Sequence, residues 1–165
     1  MNAQEENFIE VDYCQHAKHG QLISGDVFLT EKVKEGDRIV SVLTDGLGSG
    51  VKASVLATMT ATMALKFAVS PMDIRRSAEI IMDTLPICSV RKISYSTFTV
   101  VDMARRGQTR IIEHGNPSFL LIRPGGEARV EKTEVRPERW RDRVISYTSF
   151  GVQREDRIVF FSEGI

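Results

Sequence analysis

Residues 38–50 read RIVSVLTDGLGSG and contain the pattern that decides the fold. The first half, Arg38–Leu43, is apolar enough to predict a central β-strand, and a glycine-rich turn follows it. An Asp-Gly pair in a two-residue hairpin is normally followed by another strand. Here Val51–Ala68 follows instead, with the length and apolar content of a long helix. Asp45 therefore lies in a strand-to-helix turn rather than in an ordinary hairpin.

Two helices are predicted after this turn. In the first, apolar residues recur every four positions from Val55 to Phe67, and alanines occupy much of the other side. A helix that is apolar or small on most sides is usually buried, so we expect it to be deeply packed. The second is predicted to begin with Ser70 as its cap and to end at about Leu85, before Pro86.

Strand patterns flank the helices on both sides. Before them, Phe8–Tyr13 alternates apolar and polar residues, and Asp26–Val33 is predicted to form a hairpin with the central strand through the turn Glu35-Gly36-Asp37. After them come strand-like segments joined by turns at residues 105–107 and 124–126: Tyr95–Met103, Gln108–Glu113, Ser118–Arg123, Ala128–Val135, Arg143–Thr148 and Arg157–Phe161. This order lacks the strict alternation of a doubly wound fold. It predicts an α+β fold, a sandwich of mostly antiparallel strands flanked by α-helices.

The composition predicts one globular domain over residues 1–165 with one hydrophobic core. Lys plus Arg equals Asp plus Glu, 22 against 22, so neither nucleic acid nor an acidic membrane is indicated as a partner. The locally basic segment Arg136–Arg143 also contains acids and is interpreted as a solvated loop. Two cysteines, no signal-peptide pattern and no long apolar run predict a cytoplasmic protein.

Three acidic residues stand beside glycines at predicted strand ends. Gly25-Asp26 begins one strand, Asp45-Gly46 ends the next, and Glu163-Gly164 follows the last. Carboxylates at strand ends can meet at one edge of a sandwich, and glycine lets the backbone approach a ligand closely. Mg²⁺ and Mn²⁺ take carboxylates, backbone carbonyls and water as ligands. Each pair alone is also a common turn dipeptide, so it is their combination that indicates a metal site.

Several motifs follow one another along nearly the whole chain. The most specific is Asp45-Gly46-x-Gly48-x-Gly50 with an alanine-rich helix after it, preceded by Gly25-Asp26. The others are Thr97-Phe98 with Asp102, then His114-Gly115-Asn116-Pro117, and finally Asp156-x-Ile158-x-Phe160-Phe161-Ser162-Glu163-Gly164-Ile165. In order and approximate spacing this set resembles the SpoIIE-like branch of the PPM, or type 2C (PP2C), serine/threonine protein phosphatases.

The resemblance implies a PP2C-like β-sandwich and a dinuclear Mn²⁺ or Mg²⁺ centre. It implies hydrolysis of phosphoserine or phosphothreonine on a regulatory protein by metal-bound water, without a phosphoenzyme. Asp26 matches a carboxylate for one metal, Asp45 matches the carboxylate that bridges both, and these two are the expected catalytic residues. Gly46 matches a backbone carbonyl ligand, and Glu163 occupies the position of a further metal-binding aspartate. The family also suggests a phosphorylated anti-sigma-factor antagonist as the substrate.

The chain departs from the family pattern in three places. Ser49 stands where many relatives have His, at a position that need not be a ligand. Glu163 replaces Asp and is one methylene longer, so we expect one metal site to be shifted or weakened; a metal titration showing two unperturbed sites would contradict this. Relatives continue beyond the position of Ile165 with a helix and a closing strand that carries the last aspartate ligand. We therefore expect a fragment of the domain with one metal site incomplete.

Two other functions stay open at this point. A glycine-rich turn before a helix can bind a phosphate or a nucleotide. The spacing Gly46-x-Gly48-x-Gly50 is, however, not a dinucleotide motif, and no P-loop lysine follows it. A non-catalytic binding domain on the same fold is favoured by Glu163 and by the missing last aspartate.

Some isolated residues invite functional interpretations as well. Cys14, His16 and His19 form a Cys-x-His-x-x-His cluster, but zinc needs a fourth ligand and none is nearby, so ordinary loop and strand residues are favoured. Asp102 is interpreted as a plain strand-end acid rather than a metal-site residue. His114 could assist proton transfer to a leaving group, although a lone histidine is more often structural.

Overall fold

The computed structural model describes residues 8–17, 19–20, 22–35, 37–87 and 96–163. Within them the backbone forms two α-helices, one 3₁₀-helix and nine β-strands. The helices are α1 (Gly50–Val69) and α2 (Ile74–Thr84), and the 3₁₀-helix is Glu138–Trp140. The strands are β1 (Asp26–Val33), β2 (Arg38–Gly46), β3 (Ser96–Ala104), β4 (Gln108–His114), β5 (Leu120–Arg123), β6 (Gly126–Ala128), β7 (Thr133–Val135), β8 (Ile145–Gly151) and β9 (Arg157–Val159).

The described strands form two antiparallel sheets. The large sheet has six strands in the order β1-β2-β3-β4-β8-β7, and the small sheet has three in the order β6-β5-β9. Hydrophobic contacts place α1 and α2 on one face of the large sheet and the small sheet on its other face. The predicted α+β sandwich with helices outside it is therefore confirmed.

The central strands β3 and β4 are buried on both faces because their side chains alternate between two cores. Val100 and Ile112 pack under the helices. Their chain neighbours Val101 and Ile111 pack instead against the small sheet. This two-residue period is the geometry of a pleated strand. The large sheet is therefore the middle layer of the fold, between the helices and the small sheet.

The predicted hairpin of β1 and β2 is confirmed, as are the turns at residues 105–107 and 124–126 between neighbouring strands. β2 continues past the predicted end at Leu43, so that Asp45 and Gly46 lie inside the strand. β9 stops at Val159, before the predicted end. Gly36, Tyr95 and residues 164–165, to which predictions also refer, lie outside the described residues.

Helix α1 packs against the sheet through its alanines. The alanines between Ala53 and Ala64 have no exposed surface, whereas Val55 and Met59 on another side are 50% and 66% exposed. The expectation of a deeply packed helix is therefore wrong for this second side. Small side chains let the helix backbone come close to the sheet, which increases dispersion contacts along that one side. Within the described chain, neither helix is long and apolar enough to span a membrane.

Helix α2 begins later than predicted. Its cap is Asp73, whose carboxylate accepts hydrogen bonds from the backbone N–H groups of Arg75 and Arg76, at 3.0 and 3.2 Å. Ser70 instead ends α1, where its hydroxyl donates to the carbonyl of Phe67 at 2.7 Å. An aspartate cap satisfies two helix N–H groups and carries the charge that the N-terminal end of a helix favours, so it outcompetes the serine.

The segment Phe8–Tyr13 is not a strand, contrary to its alternating pattern. Phe8 is 84% exposed and Tyr13 is 63% exposed. Alternation indicates a strand only where one side becomes buried and a neighbouring strand supplies hydrogen bonds. Here the ring of Tyr13 stacks on Phe28 of β1, with centroids 5.0 Å apart, and no strand pairing is formed by residues 8–13.

The predicted strand Ala128–Val135 is wrong, because the chain passes from one sheet to the other within it. β6 ends at Ala128 and pairs with β5 in the small sheet. β7 begins at Thr133 and pairs with β8 in the large sheet. A continuous strand-like pattern cannot show that its two halves have different partners.

Most charged residues of the segment Arg136–Arg143 are exposed, as expected for a solvated loop, but its tryptophan is buried and ties the segment to α2. The Trp140 side chain is 1% exposed, and its indole N–H donates to Asp83 on α2 at 2.6 Å. Arg139 also donates to the Asp83 carboxylate, at 3.1 Å. The hydrogen bonds from Arg139 and Trp140 hold the pKa of Asp83 below its ordinary value. The segment is thus attached to α2 by one buried ring and one shared carboxylate.

Candidate metal centre

Antiparallel pairing brings two of the predicted acidic residues together. Asp26, the first residue of β1, is the register partner of Asp45, near the end of β2. Directly opposite residues in an antiparallel pair have Cα atoms about 4.5–5.5 Å apart, and their side chains project from the same face. The two side chains therefore start side by side at the open end of the hairpin.

Alternation along β2 determines which face of the sheet this is. The hydroxyl of Thr44 donates to the carbonyl of Ala57 in α1 at 2.9 Å, so Thr44 projects toward the helices. Its neighbour Asp45 must project toward the opposite face, where the small sheet packs. Asp26 and Asp45 are both partly buried. Their carboxylates are thus bordered by structure but still reachable from solvent.

Glycines allow three backbone segments to meet here. The N–H of Gly46 donates to the carbonyl of Gly25 at 3.0 Å. A Cβ on Gly46 would lie 2.0 Å from the carbonyl oxygen of Ala53, so α1 can approach only because this residue is glycine. A Cβ on Gly25 would lie 3.6 Å from the Gly46 carbonyl oxygen and 3.8 Å from Oδ1 of Asp45. The same Cβ would lie only 3.3 Å from Cβ of Ala53, so Gly25 packs closely against α1 with both oxygens nearby.

The third acidic segment reaches the site through a serine. The hydroxyl of Ser162 donates to Oδ2 of Asp26 at 3.1 Å, and Ser162 itself is buried. Glu163 follows directly, and its side chain is exposed. Among the residues that the structure describes, no group of three or more His, Cys, Asp or Glu side chains is close enough to hold a metal ion. Asp26, Asp45 and Gly46 are thus brought together, and Glu163 is not part of such a group.

The donor types at this edge fit a hard divalent cation. Mg²⁺ is commonly held in proteins by one or two carboxylates and keeps several water ligands, and Mn²⁺ prefers the same oxygen donors. Two adjacent aspartates and a backbone carbonyl oxygen provide such a set.

The Cys14, His16 and His19 cluster is exposed, unlike the partly buried paired aspartates. All three residues are exposed, and Sγ of Cys14 lies 3.4 Å from Nε2 of His16. Residues 8–17 form no strand, so Cys14 and His16 are exposed residues of an irregular segment.

Asp102 is neither a strand-end acid, as predicted, nor close to the paired aspartates. It lies within β3, where its side chain is 2% exposed. Oδ2 accepts hydrogen bonds from Arg38 at 2.9 Å and from Arg110 at 2.5 Å. Its register partner on β2 is Val40, well away from Asp45 along the strand. Asp102 is a buried ion-pair residue.

His114 is held in the sheet. It is 8% exposed, its Nδ1 lies 2.8 Å from the carbonyl oxygen of Val144, and its ring lies 5.6 Å from that of Phe98. Burial lowers its pKa below the ordinary value of 6.5. These contacts support a structural role for this histidine.

Sequence reasoning missed two side chains that contact Asp26. Besides Ser162, Gln15 donates from Nε2 to the backbone carbonyl of Asp26 at 2.7 Å. These residues lie 136 and 11 positions from Asp26 in the chain. Serine and glutamine are common residues, and no local pattern marks a contact over such separations.

Solved structures share this fold. The PP2C phosphatase domain, with a fragment of the regulatory domain, of SpoIIE from Bacillus subtilis matches with a TM-score of 0.74 and 20% identity, covering 90% of this chain and 44% of that one. The RsbU and RsbW domains of Rv1364c from Mycobacterium tuberculosis match with a TM-score of 0.69 and 22% identity, covering 90% and 42%. RsbX in complex with magnesium matches with a TM-score of 0.55 and 17% identity, covering 90% and 65%. The present chain thus spans less than half the length of the first two.

The family is shown by a sequence comparison rather than by these structures. No curated protein matches the chain at a significant level. The family model described as Stage II sporulation protein E (SpoIIE) matches residues 35–165. This range covers most of the chain and includes Asp45 near the end of β2 and the segment that ends in Glu163. The chain therefore belongs to the SpoIIE family.

Proposed function

We propose that this chain is the catalytic part of a metal-dependent phosphatase that acts on phosphoserine or phosphothreonine in a regulatory protein. The main support is the pairing of Asp26 with Asp45 beside the carbonyl oxygen of Gly46. Two adjacent carboxylates repel a phosphate group unless a cation lies between them and it. An acidic edge in a family of phosphatases is therefore best explained as a metal site.

Asp26, Asp45 and the Gly46 carbonyl would hold Mn²⁺ or Mg²⁺, with two ions expected from the family pattern and Glu163 contributing to one of them. When bound, the metal supplies Lewis acidity, which activates water and neutralises charge on the phosphoryl group. The protein supplies position. Ser162 donates to Oδ2 of Asp26, which leaves the second oxygen of that carboxylate available to a cation.

The proposed substrate class is supported by the kinds of protein that share the fold. One of the similar structures combines RsbU and RsbW domains, and another belongs to a cell fate determinant. The cell fate determinant has a regulatory domain, and a further similar structure is described as the bacterial stressosome, a system adapted to control secondary messenger signaling. These two descriptions support a phosphorylated regulatory protein as the substrate. Within that class we propose an anti-sigma-factor antagonist, as the family resemblance suggests.

The test is the hydrolysis of an aryl phosphate with and without Mn²⁺, for the unchanged chain and for Asp45→Asn. We expect Mn²⁺-dependent turnover that falls by at least about 100-fold in the variant, because a ligand should matter more than outer-shell partners, whose loss costs about 10–100-fold. Glu31→Gln is the matched control, since Glu31 is a partly buried acid on β1 whose contact is an ion pair with Lys66. It should leave turnover unchanged.

Three outcomes would contradict this proposal. Equal turnover in the unchanged chain and in Asp45→Asn would show that the paired aspartates are not the catalytic centre. Mn²⁺ binding without turnover, on aryl phosphate and on phosphoserine and phosphothreonine peptides alike, would favour a non-catalytic binding domain. Turnover of a phosphotyrosine peptide in preference to the other two would overturn the proposed substrate class.

A further inference from the structure

Two side chains of β3 hold the backbone of Asp45. Its N–H donates to the hydroxyl of Thr97 at 3.2 Å, and its carbonyl accepts from the hydroxyl of Ser96 at 3.0 Å. Thr97 is also the register partner of Asp45. With the peptide groups on both sides of its Cα fixed, the direction in which the Asp45 side chain leaves the strand is fixed as well.

The loop after β4 determines how the Thr97 hydroxyl is oriented. A threonine hydroxyl has one proton to donate and can accept hydrogen bonds through its lone pairs. The Thr97 hydroxyl donates to Oδ1 of Asn116, which leaves a lone pair for the Asp45 N–H. Nδ2 of Asn116 in turn donates to the hydroxyl of fully buried Thr99 at 3.0 Å, so the amide is held with its oxygen toward Thr97.

The fit between this loop and β3 depends on a glycine. Gly115 has φ +75°, a conformation that residues with a side chain rarely adopt. A Cβ at this position would lie 2.7 Å from Cγ2 of Thr97. The loop backbone therefore packs directly on Thr97 and delivers Asn116 to its hydroxyl.

We propose that Thr97 and Asn116 are positioning residues for the metal site, acting through the backbone of Asp45. The inference rests on the proposed function, because it requires Asp45 to be a metal ligand. Hydrogen-bonded partners outside the ligand shell orient ligands, and their loss typically costs about 10–100-fold in metal affinity or activity. A role limited to holding strands together would lower stability without changing metal affinity selectively.

The first measurement is Mn²⁺ affinity in the absence of substrate, from the electron paramagnetic resonance signal of free Mn²⁺. Thr97→Val keeps the shape of the side chain and removes the hydroxyl, so we expect binding about 10–100-fold weaker. Thr97→Ser restores the hydroxyl and should restore the affinity. The matched control is Thr30→Val, which removes a hydroxyl contact of 3.1 Å with Ser41 inside the same hairpin, away from Asp45. It should leave Mn²⁺ affinity unchanged.

The second measurement needs no metal. Hydrogen exchange of the Asp45 amide, followed by NMR in metal-free protein, should be about fivefold faster in Thr97→Val, the factor for one average hydrogen bond. Unchanged exchange would overturn the inference whatever the metal does. Faster exchange with no Mn²⁺ binding by the unchanged chain would instead contradict the proposed function, and would reduce Thr97 to a structural residue.

A second variant covers the case in which Thr97→Val does not fold. Asn116→Ala keeps the Thr97 hydroxyl but removes the acceptor that orients it. We expect the same two effects with smaller factors. Mn²⁺ affinity and Asp45 exchange both equal to those of the unchanged chain would remove Asn116 from the proposed pair.

Discussion

Replacing Asp102 with Asn removes one buried negative charge and keeps the shape of the side chain. The carboxylate is 2% exposed and accepts from two arginines, Arg38 with a side chain 15% exposed and Arg110 with one 38% exposed. Removing one partner of a buried ion pair usually costs about 3–5 kcal/mol, because the remaining charge is left uncompensated. The loss of stability in Asp102→Asn should be at the lower end of that range.

Two features of the arginines lower the cost. Arg110 is exposed enough to turn toward water. Arg38 also donates to the carbonyls of Ala68 and Val69, at 3.0 and 3.2 Å, at the C-terminal end of α1. That helix end carries partial negative charge and would continue to stabilise the guanidinium. We therefore expect Asp102→Asn to lower the free energy of unfolding by about 3 kcal/mol.

Urea denaturation at neutral pH measures this loss as a lower midpoint with an unchanged slope. In thermal unfolding it corresponds to about 6–12 °C, from about 2–4 °C per kcal/mol for a chain of this size. In an Arg38→Met background the same substitution should cost clearly less, because the stranded charge is gone. A loss below about 1 kcal/mol, the value of an exposed pair, would refute the reasoning.

The same variant separates Asp102 from the metal site. Asp102 pairs with Val40, which lies five positions along β2 from Asp45, or about 17 Å at about 3.4 Å per residue. Mn²⁺ affinity of the folded Asp102→Asn protein should therefore equal that of the unchanged chain. A marked loss of affinity would show that Asp102 contributes to the metal site after all.

Two further substitutions test the site and the buried histidine. Gly46→Ala places a Cβ against the Ala53 carbonyl and should lower the free energy of unfolding by about 1–3 kcal/mol or more, with weaker Mn²⁺ binding. The control is Gly151→Ala, whose Cβ would meet no atom within 4 Å. Equal losses for the two variants in urea denaturation would contradict the close approach of α1. Burial lowers the pKa of His114, so the unfolded chain binds a proton more readily than the folded one. The free energy of unfolding should therefore keep its full value above pH about 6.5 and should fall below it, by up to about 1.4 kcal/mol per pH unit. Urea denaturation between pH 7.5 and 5.5 should show this loss, and a His114→Gln variant with the same pH dependence would show that the histidine is not its source.

The sequence predicts best those features that depend on neighbouring residues. The β1–β2 hairpin and the start of α1 follow from turn residues and apolar periodicity within short windows. The predicted cap of α2 is Ser70 and the actual cap is Asp73. Both residue types are good helix caps, so the error is a choice between two nearby candidates. In each case the deciding interaction is local and can be seen in one stretch of sequence.

The features that the sequence does not predict depend on distant partners. Arg38 and Asp102 are 64 positions apart, and Ser162 and Asp26 are 136 apart. The alternation at residues 8–13 is that of a strand, but a strand also needs a partner. Trp140 lies in a charged stretch of sequence, and only its contact with Asp83 on α2 shows that its ring is buried.

The structure also gives a physical reason for expecting two unequal metal sites. Asp45 lies on a strand between two others, and its surroundings are fixed by the Gly46–Gly25 hydrogen bond and by β3. Glu163 lies beyond the end of β9 with an exposed side chain, so binding a cation would require it to lose rotamer freedom. Ligands held in place before binding lose less entropy and bind more tightly. The ion that does not depend on Glu163 should therefore bind before the one that does, and the extra methylene of Glu163 adds to that difference.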